Sequence, residues 1–248
     1  AGVVNGGGFL LIRFADVLIA AQGVLAVLAL VGGFSALLGA AVALTQPAVK
    51  TGLAWSTCAQ MGFMVLQCGL ALFPLALLHI VAHSLYKAHA FLASGDAVRE
   101  VAKVRRPGPV AVPNLGAVGR SFGLALALYV LVGLAFGIAS KPQQAVALGA
   151  ILIFGVVYLI AQGLADLAPR ALAWRTVALS VAATVAYFAF QHAATWAAAG
   201  TLPPPPAPDG LIWATIILTL VSFAVAAVAQ TTFPLWAGHP AAAGMRVH

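Results

Sequence analysis

Charged residues are scarce in this sequence, and their scarcity excludes the ordinary soluble protein classes. Only 7% of the 248 residues are charged and 63% are hydrophobic, whereas soluble proteins carry about 25% charged residues. The two cysteines, Cys58 and Cys68, lie in one apolar segment at a spacing that a single helix cannot bridge. Neither a disulfide framework nor a cysteine-based metal site is therefore expected. The sequence contains no G-x-x-x-x-G-K-[ST] phosphate loop, so it does not predict ATP hydrolysis by that route.

Long uncharged apolar runs, such as residues 144–165 and 211–235, predict helices that cross a membrane. A helix needs about 20 residues to cross the hydrocarbon core, and these runs lack the alternation of β-barrel strands. The predicted fold class is an all-α membrane protein, a polytopic helical bundle of about seven full spans and one partial span. The partial span covers residues 1–12, and the full spans cover residues 21–44, 52–72, 74–93, 121–139, 144–165, 171–191 and 211–233. A tight turn is expected at Phe73-Pro74.

The basic residues outnumber the acidic residues by 12 to 5, and they are unevenly distributed. When the predicted spans alternate across the membrane, Arg13 and Lys141 lie on one side. The other side receives Lys50, Arg99, Lys103, Arg105, Arg106, Arg120, Arg170, Arg175 and Arg246. The positive-inside rule predicts that this richer side, with the loop of residues 95–120, is cytoplasmic. The loop could also bind a soluble subunit or anionic headgroups. The charge is thus a topology signal, and no nucleic acid partner is expected.

The segment of residues 74–93 contains three ionisable residues, His79, His83 and Lys87, at a spacing of four. This spacing places them along one helix face, with about 40° of rotation and about 6 Å of rise per step. A charged side chain inside a membrane costs roughly 2.5–3.5 kcal/mol on insertion scales, so such residues are rarely accidental. Because histidine titrates near neutral pH, the row predicts a proton relay through intervening water.

The preceding span carries polar residues that could hold water beside this row. Ser56 and Gln60 are one helical turn apart, and Gln67 follows two turns later. They could also hydrogen-bond to the histidines across a contact between the two helices. Ser56 and Gln60 are therefore secondary candidates for the proton path.

Other interpretations of these residues stay open. Lys87 lies near a span end, so its amine could extend to the membrane surface, and both histidines could form structural hydrogen bonds between helices. His79 and His83 could form a zinc pair, although no carboxylate or cysteine lies nearby to complete it. A haem protein would require His192 as the opposing ligand. The chain could also be a passive membrane anchor for a soluble enzyme.

Two stretches resemble the antiporter-like subunits of respiratory complex I. Residues 46–64 (Q-P-A-V-K-T-G-L-A-W-S-T-C-A-Q-M-G-F-M) are similar to the D-I-K-R-x-L-A-Y-S-T-x-S-Q-x-G-Y stretch of that family, and residues 79–95 are similar to its H-x3-H-x3-K-A-x-x-F-L-x-x-G helix. In that family the helix belongs to the membrane proton path. The resemblance implies an antiporter-like inverted-repeat fold. It also implies proton relay at the two histidines and the lysine of the row, and a path role for Lys50.

A closer resemblance is to one branch, the DabB-type subunits of bacterial inorganic-carbon pumps. It is carried by residues 5–10 (N-G-G-G-F-L), 66–70 (L-Q-C-G-L), 83–91 (H-S-L-Y-K-A-H-A-F) and 105–110 (R-R-P-G-P-V). It implies a multi-pass protein of the bacterial cytoplasmic membrane with a carbonic-anhydrase-like zinc subunit as its partner. No cofactor is expected in this chain itself, because the zinc belongs to the partner.

The resemblance is dense up to residue 113 and thin beyond it, which predicts two regions. Residues 1–113 are expected to form an antiporter-like core with the His/His/Lys helix and the basic loop, and residues 114–248 to add C-terminal transmembrane helices. The chain is expected to be a piece that lacks the N-terminal half and the C-terminal end of such a subunit. Ser140-Lys141 is similar to part of the complex I motif G-F-x-S-K-D, but Pro142 replaces the acid. Lys141 is therefore expected to be a loop residue.

The expected function is that of a transport subunit without an enzymatic step of its own. It would move protons or another cation across the membrane and so energise uptake of CO2 or bicarbonate. The alternative is a proton-pumping subunit of an NADH-quinone oxidoreductase, or a cation/proton antiporter.

Overall fold

The structure, a computed structural model, describes residues 2–96, 115–163 and 170–237. Residues 97–114, which make up most of the predicted basic loop, lie outside the described residues, as do Arg99, Lys103, Arg105, Arg106 and Arg246. Within the described ranges the chain is helical and contains no strand, which confirms the all-α fold class.

The helices follow one another with short connections. They are α1 (Gly2–Arg13), α2 (Ala15–Ile19), α3 (Gln22–Thr45), α4 (Val49–Gly69), α5 (Phe73–Leu92), α6 (Leu115–Ala135), α7 (Gln143–Gly163), α8 (Arg170–Ala197) and α9 (Gly210–Ala237), with a 3₁₀ turn at Ile138–Ser140. Lys141 lies in extended conformation between that turn and α7, which confirms it as a loop residue. The span predicted for residues 121–139 ends early, because Gly137 adopts a left-handed conformation with φ of 69° and starts the 3₁₀ turn.

Five helical stretches of the described chain are long and apolar enough to cross a membrane. They are Gln22–Thr45, Phe73–Leu92, Val118–Ala135, Trp174–Ala197 and Gly210–Gln230. These stretches confirm a polytopic membrane protein, and the count of seven full spans stays a prediction. α4 has 21 residues, which is enough to span. It is not among the five, because polar residues such as Lys50, Ser56 and Gln67 interrupt its apolar sequence.

The described residues divide into two compact units. One takes in those within Ala1–Pro107, Pro142–Ala145 and Phe190–Thr219, and the other those within Gly108–Lys141, Val146–Ala189 and Leu220–His248. The core of the second unit consists of Ala125, Tyr129, Ile153, Val157, Ile160 and Phe188. The division at residue 113 stays a prediction about the sequence. The candidate site lies within the first unit, on α4 and α5.

Glycines bring α3 and α4 into backbone contact. A Cβ added at Gly62 would lie 2.5 Å from the backbone nitrogen of Ala36 and 2.8 Å from the carbonyl oxygen of Gly32. A Cβ at Gly39 would lie 2.6 Å from the backbone nitrogen of Ala59. Small residues allow this approach, and close packing is what holds helices together in a membrane. α3 therefore fixes the position of α4.

The connection from α4 to α5 is a helix cap followed directly by a new helix. The N–H of Leu72 donates to the carbonyl of Gln67, and the N–H of Ala71 to that of Cys68, both at 2.9 Å. With φ of 56° at Ala71, these bonds form a Schellman motif. The turn predicted at Phe73-Pro74 therefore lies just before these residues, and Phe73 already begins α5. Pro74 fits the first turn of α5, where its missing N–H leaves no hydrogen bond unmade.

Candidate functional site

The three ionisable residues of the predicted row lie on one helix, α5. His79, His83 and Lys87 lie within Phe73–Leu92 at successive helical turns, so the row extends over about 12 Å of the helix axis. Its two ends contact α4, because His79 meets Gln67 and Lys87 meets Ser56. The polar face of α5 is therefore directed at the helix that the sequence predicted as its partner.

Lys87 is held inside the protein by neutral oxygen atoms. Its side chain is fully buried, and its Nζ donates to Ser56 Oγ at 2.7 Å and to the carbonyl oxygen of Leu53 at 3.4 Å. The ring of the neighbouring Tyr86 lies 5.3 Å from Nζ. A lysine extending to the membrane surface would expose its amine, so this geometry does not fit the surface interpretation of Lys87.

His79 forms the other end of the row. Its ring is half-buried, and Nδ1 lies 3.1 Å from Oε1 of Gln67. Because a carboxamide oxygen only accepts hydrogen bonds, Nδ1 is the donor. In the neutral ring Nε2 is then left as an acceptor, and a proton can arrive there.

His83 lies between the two ends and is 2% exposed. Neither of its ring nitrogens has a hydrogen-bond partner among the described residues. Its ring centroid lies 6.0 Å from that of His79. That separation is too long for a direct hydrogen bond between the rings and suits a bridging water. The middle of the row is thus a buried group with free capacity to donate and accept.

The secondary candidates on α4 differ in placement. Ser56 contacts Lys87 directly. Gln60 is half-buried one turn further along α4, and the contacts on either side of it place it at about the level of His83. Lys50 is exposed in the first turn of α4, and the structure does not bring it to the row. The roles predicted for Lys50, Ser56 and Gln60 stay predictions.

Two polar groups near the row were missed by the sequence analysis. The carbonyl of Leu53 cannot be recognised from a side-chain pattern at all. Asn5 on α1 is buried and donates from Nδ2 to Ser84 Oγ at 2.7 Å. Its signal was available, because Asn5 is the one polar side chain in residues 1–12.

The metal-based interpretations gain no additional ligands from the fold. Among the described residues there is no group of three or more His, Cys, Asp or Glu side chains that could hold a metal ion. His192, the opposing ligand that a haem would need, is exposed on α8.

The described structure is that of a multi-pass helical membrane protein with a buried row of two histidines and a lysine between two of its helices. The chain belongs to the family described as NADH:quinone oxidoreductase/Mrp antiporter, TM, whose model matches residues 1–168. This match contains the whole row and confirms the complex I-like, antiporter-like resemblance.

Named relatives refine the comparison. Over 115 residues the chain is 52% identical to the probable inorganic carbon transporter subunit DabB2 of Halothiobacillus neapolitanus, covering 45% of this chain and 21% of the relative. Over 105 residues it is 50% identical to the probable inorganic carbon transporter subunit DabB of Hydrogenovibrio crunogenus, covering 42% and 20%. Over 102 residues it is 38% identical to NADH-ubiquinone oxidoreductase chain 5 of Metridium senile, covering 41% and 17%. The matches thus span about a fifth of each relative's length. No solved structure matches the chain.

Proposed function

We propose that this chain is part of a membrane subunit that moves protons, or another cation, through the row of His79, His83 and Lys87. The flow energises inorganic-carbon uptake, which the subunit performs with a carbonic-anhydrase-like zinc partner. The observation that carries the proposal is the fully buried Lys87, held only by neutral oxygen atoms at the end of a row with two histidines.

The partner of Lys87 suits a group that changes its charge. A carboxylate beside the amine would favour the charged form strongly and hold its proton. A serine hydroxyl can accept a hydrogen bond from an ammonium group and can donate one to a neutral amine. The contact with Ser56 at 2.7 Å therefore stabilises Lys87 in both protonation states, as a relay site requires.

The histidines connect this lysine to the other end of the row. His79 is oriented by Gln67, which leaves its Nε2 available, and His83 has two buried nitrogens without partners among the described residues. A proton can pass along these groups through short water bridges, since each step of the row covers about 6 Å of the helix axis. In this role the subunit itself carries out no enzymatic step.

The relatives favour inorganic carbon as the transported substrate. Identity to the DabB-type proteins reaches 52%, whereas identity to the oxidoreductase chain of Metridium senile is 38%. The proposal includes a bacterial cytoplasmic membrane and a cytoplasmic location for the loop of residues 95–120, because the positive-inside rule favours that orientation.

The test is accumulation of labelled inorganic carbon in cells that lack carbonic anhydrase. The cells express the full-length subunit with its zinc partner, and uptake is measured with and without an uncoupler. Lys87→Ala is expected to lower uptake at least about tenfold, as for other groups that transfer protons. His89→Ala is the matched control, because His89 is exposed on the same helix and should leave uptake unchanged. Uptake that survives both the uncoupler and Lys87→Ala contradicts the proposal.

A proton-pumping subunit of an NADH-quinone oxidoreductase, or a cation/proton antiporter, is the second candidate. Its support is the family itself and the similarity to NADH-ubiquinone oxidoreductase chain 5. It predicts ion flux that depends on NADH or on Na⁺ and not on a zinc partner. Proton flux in membrane vesicles, measured with NADH, with Na⁺ and with bicarbonate in turn, separates the two candidates.

A further inference from the structure

A second helix contributes a polar contact on another side of α5. Asn5, on α1, is 6% exposed, and its Nδ2 donates to Ser84 Oγ at 2.7 Å. Ser84 Oγ in turn donates to the carbonyl oxygen of Ile80 at 2.8 Å. Ser84 directly follows His83 in the chain. Asn5 thus holds α5 at the helical turn that carries the middle residue of the row.

The position of α1 is set by a glycine. A Cβ added at Gly8 would overlap the thioether of Met64 on α4 and would lie 3.5 Å from Cδ1 of Ile80 on α5. α1 therefore contacts both helices of the site at one level. Asn5 lies nearly one turn away along α1, and its bond to Ser84 shows that it reaches the next turn of α5.

The row turns towards α1 along its length. Successive members of a row at i, i+4 and i+8 rotate by about 40° each, so Lys87 lies about 80° around α5 from His79. On the same scale Ser84, which contacts α1, lies about 140° from His79. The step from His83 to Lys87 is therefore the part of the row nearest to the side of α5 that Asn5 contacts.

Unpartnered polar atoms gather at this level. Both ring nitrogens of His83 and Oδ1 of Asn5 are buried and have no hydrogen-bond partner among the described residues. Buried polar atoms are almost always hydrogen-bonded in native proteins. Two such groups on neighbouring turns of packed helices indicate a small polar site that admits water.

We infer that Asn5 is a positioning residue of the proposed path. Its amide nitrogen fixes α5 at Ser84, and its carboxamide oxygen accepts hydrogen bonds from the water that passes a proton between His83 and Lys87. The inference rests on the proposed function, because a positioning role needs ion flow along α5.

The test measures uncoupler-sensitive carbon uptake per folded subunit, in ordinary water and in D2O, with the full-length protein and its partner. Asn5→Leu keeps a similar shape and removes both polar atoms, whereas Asn5→Gln keeps the carboxamide. Gly6→Ala is the control, since Gly6 is exposed and a Cβ there meets nothing within 4 Å. Asn5→Leu is expected to lower uptake about threefold to tenfold, the effect of one interhelical hydrogen bond in a membrane, and Asn5→Gln to restore about half.

The solvent isotope ratio distinguishes positioning from simple structural support. It should rise in Asn5→Leu, because proton transfer becomes slower relative to the other steps, and stay at the wild-type value in Gly6→Ala. Uptake that falls only in proportion to the amount of folded subunit, with an unchanged isotope ratio, overturns the inference. If Asn5→Leu does not accumulate, Asn5→Ala gives the same reading with less added bulk. Lys87→Ala belongs in the same series: if it retains uptake, the proposed function fails, whereas normal uptake in Asn5→Leu alone removes only the role of Asn5.

Discussion

α4 presents two faces of opposite character to its neighbours. Towards α3 it carries small residues, and a Cβ at Gly62 or Gly69 would press into the backbone of α3. Towards α5 it carries Ser56 and Gln67, which reach the two ends of the histidine–lysine row. The two sets are offset by roughly a third of a turn around the helix. One helix therefore combines an interface made by backbone packing with an interface made by single polar side chains.

The difference separates what holds the helices from what the site does. In a membrane there is no hydrophobic driving force between helices, so close packing of small residues supplies much of their association. The contact with α3 fills that need and leaves the α5 side free to carry unpaired polar atoms such as those of His83. Substitutions on the two faces should accordingly fail in different ways.

The largest effect is expected on the glycine face. Gly62→Val places side-chain atoms where the backbone nitrogen of Ala36 and the carbonyl oxygen of Gly32 already lie within 2.8 Å of a Cβ. Backbone atoms cannot rotate away, so the helices must separate at a cost at or above the upper end of about 1–3 kcal/mol for overpacking. Folded subunit in the membrane, measured by detergent extraction and size-exclusion chromatography, should be largely lost.

The matched control for this substitution is on the same helix. Gly52→Val adds the same side chain where a Cβ meets only Ala43 O at 3.7 Å and Gln46 Cβ at 3.9 Å, which is ordinary contact. It should leave the amount of folded subunit near the wild-type value. Equal accumulation of the two variants would show that the α3–α4 contact does not depend on the absence of a side chain at Gly62.

The next largest effect is expected in the middle of the polar face. His83→Leu removes two buried nitrogens that have no partner among the described residues, and replacing such a group by an apolar one of similar size is neutral or stabilising. Thermal stability should be unchanged or higher, while uptake falls at least about tenfold because a relay group is gone. A fall in Tm together with uptake would show instead that His83 supports the structure and make the two faces of α4 alike in function.

The sequence predicted the row but not what surrounds it. The i, i+4, i+8 spacing of His79, His83 and Lys87 was sufficient to place them on one helix face, because helix periodicity is local. The pairing of Ser56 with Lys87 depends on the register between α4 and α5, which is set by the cap at Ala71 and by contact with α3. Asn5 lies 79 residues from its partner Ser84, and no local pattern encodes that contact.

The smallest of the three effects sharpens the comparison at a single hydrogen bond. Ser56→Ala removes the short contact to Lys87 and leaves the longer one to the carbonyl of Leu53, at 3.4 Å. Hydrogen bonds to charged groups contribute about 1.5–3 kcal/mol, and partial replacement by the remaining carbonyl reduces the loss. Uptake should therefore fall about threefold to tenfold, less than in Lys87→Ala or His83→Leu, with little change in folded amount.

Two further variants test the reason for that effect. Ser56→Thr keeps the hydroxyl and should retain most of the uptake, and Cys58→Ala, at an exposed position of the same helix, should change nothing. Ser56→Asp is the decisive variant, because a carboxylate beside Lys87 would hold the amine in its charged form. If the relay requires Lys87 to release its proton, Ser56→Asp should transport less than Ser56→Ala while folding at least as well. Equal or better transport by Ser56→Asp would mean that Lys87 acts as a fixed charge, and the polar face of α4 would then serve structure in the same way as the glycine face.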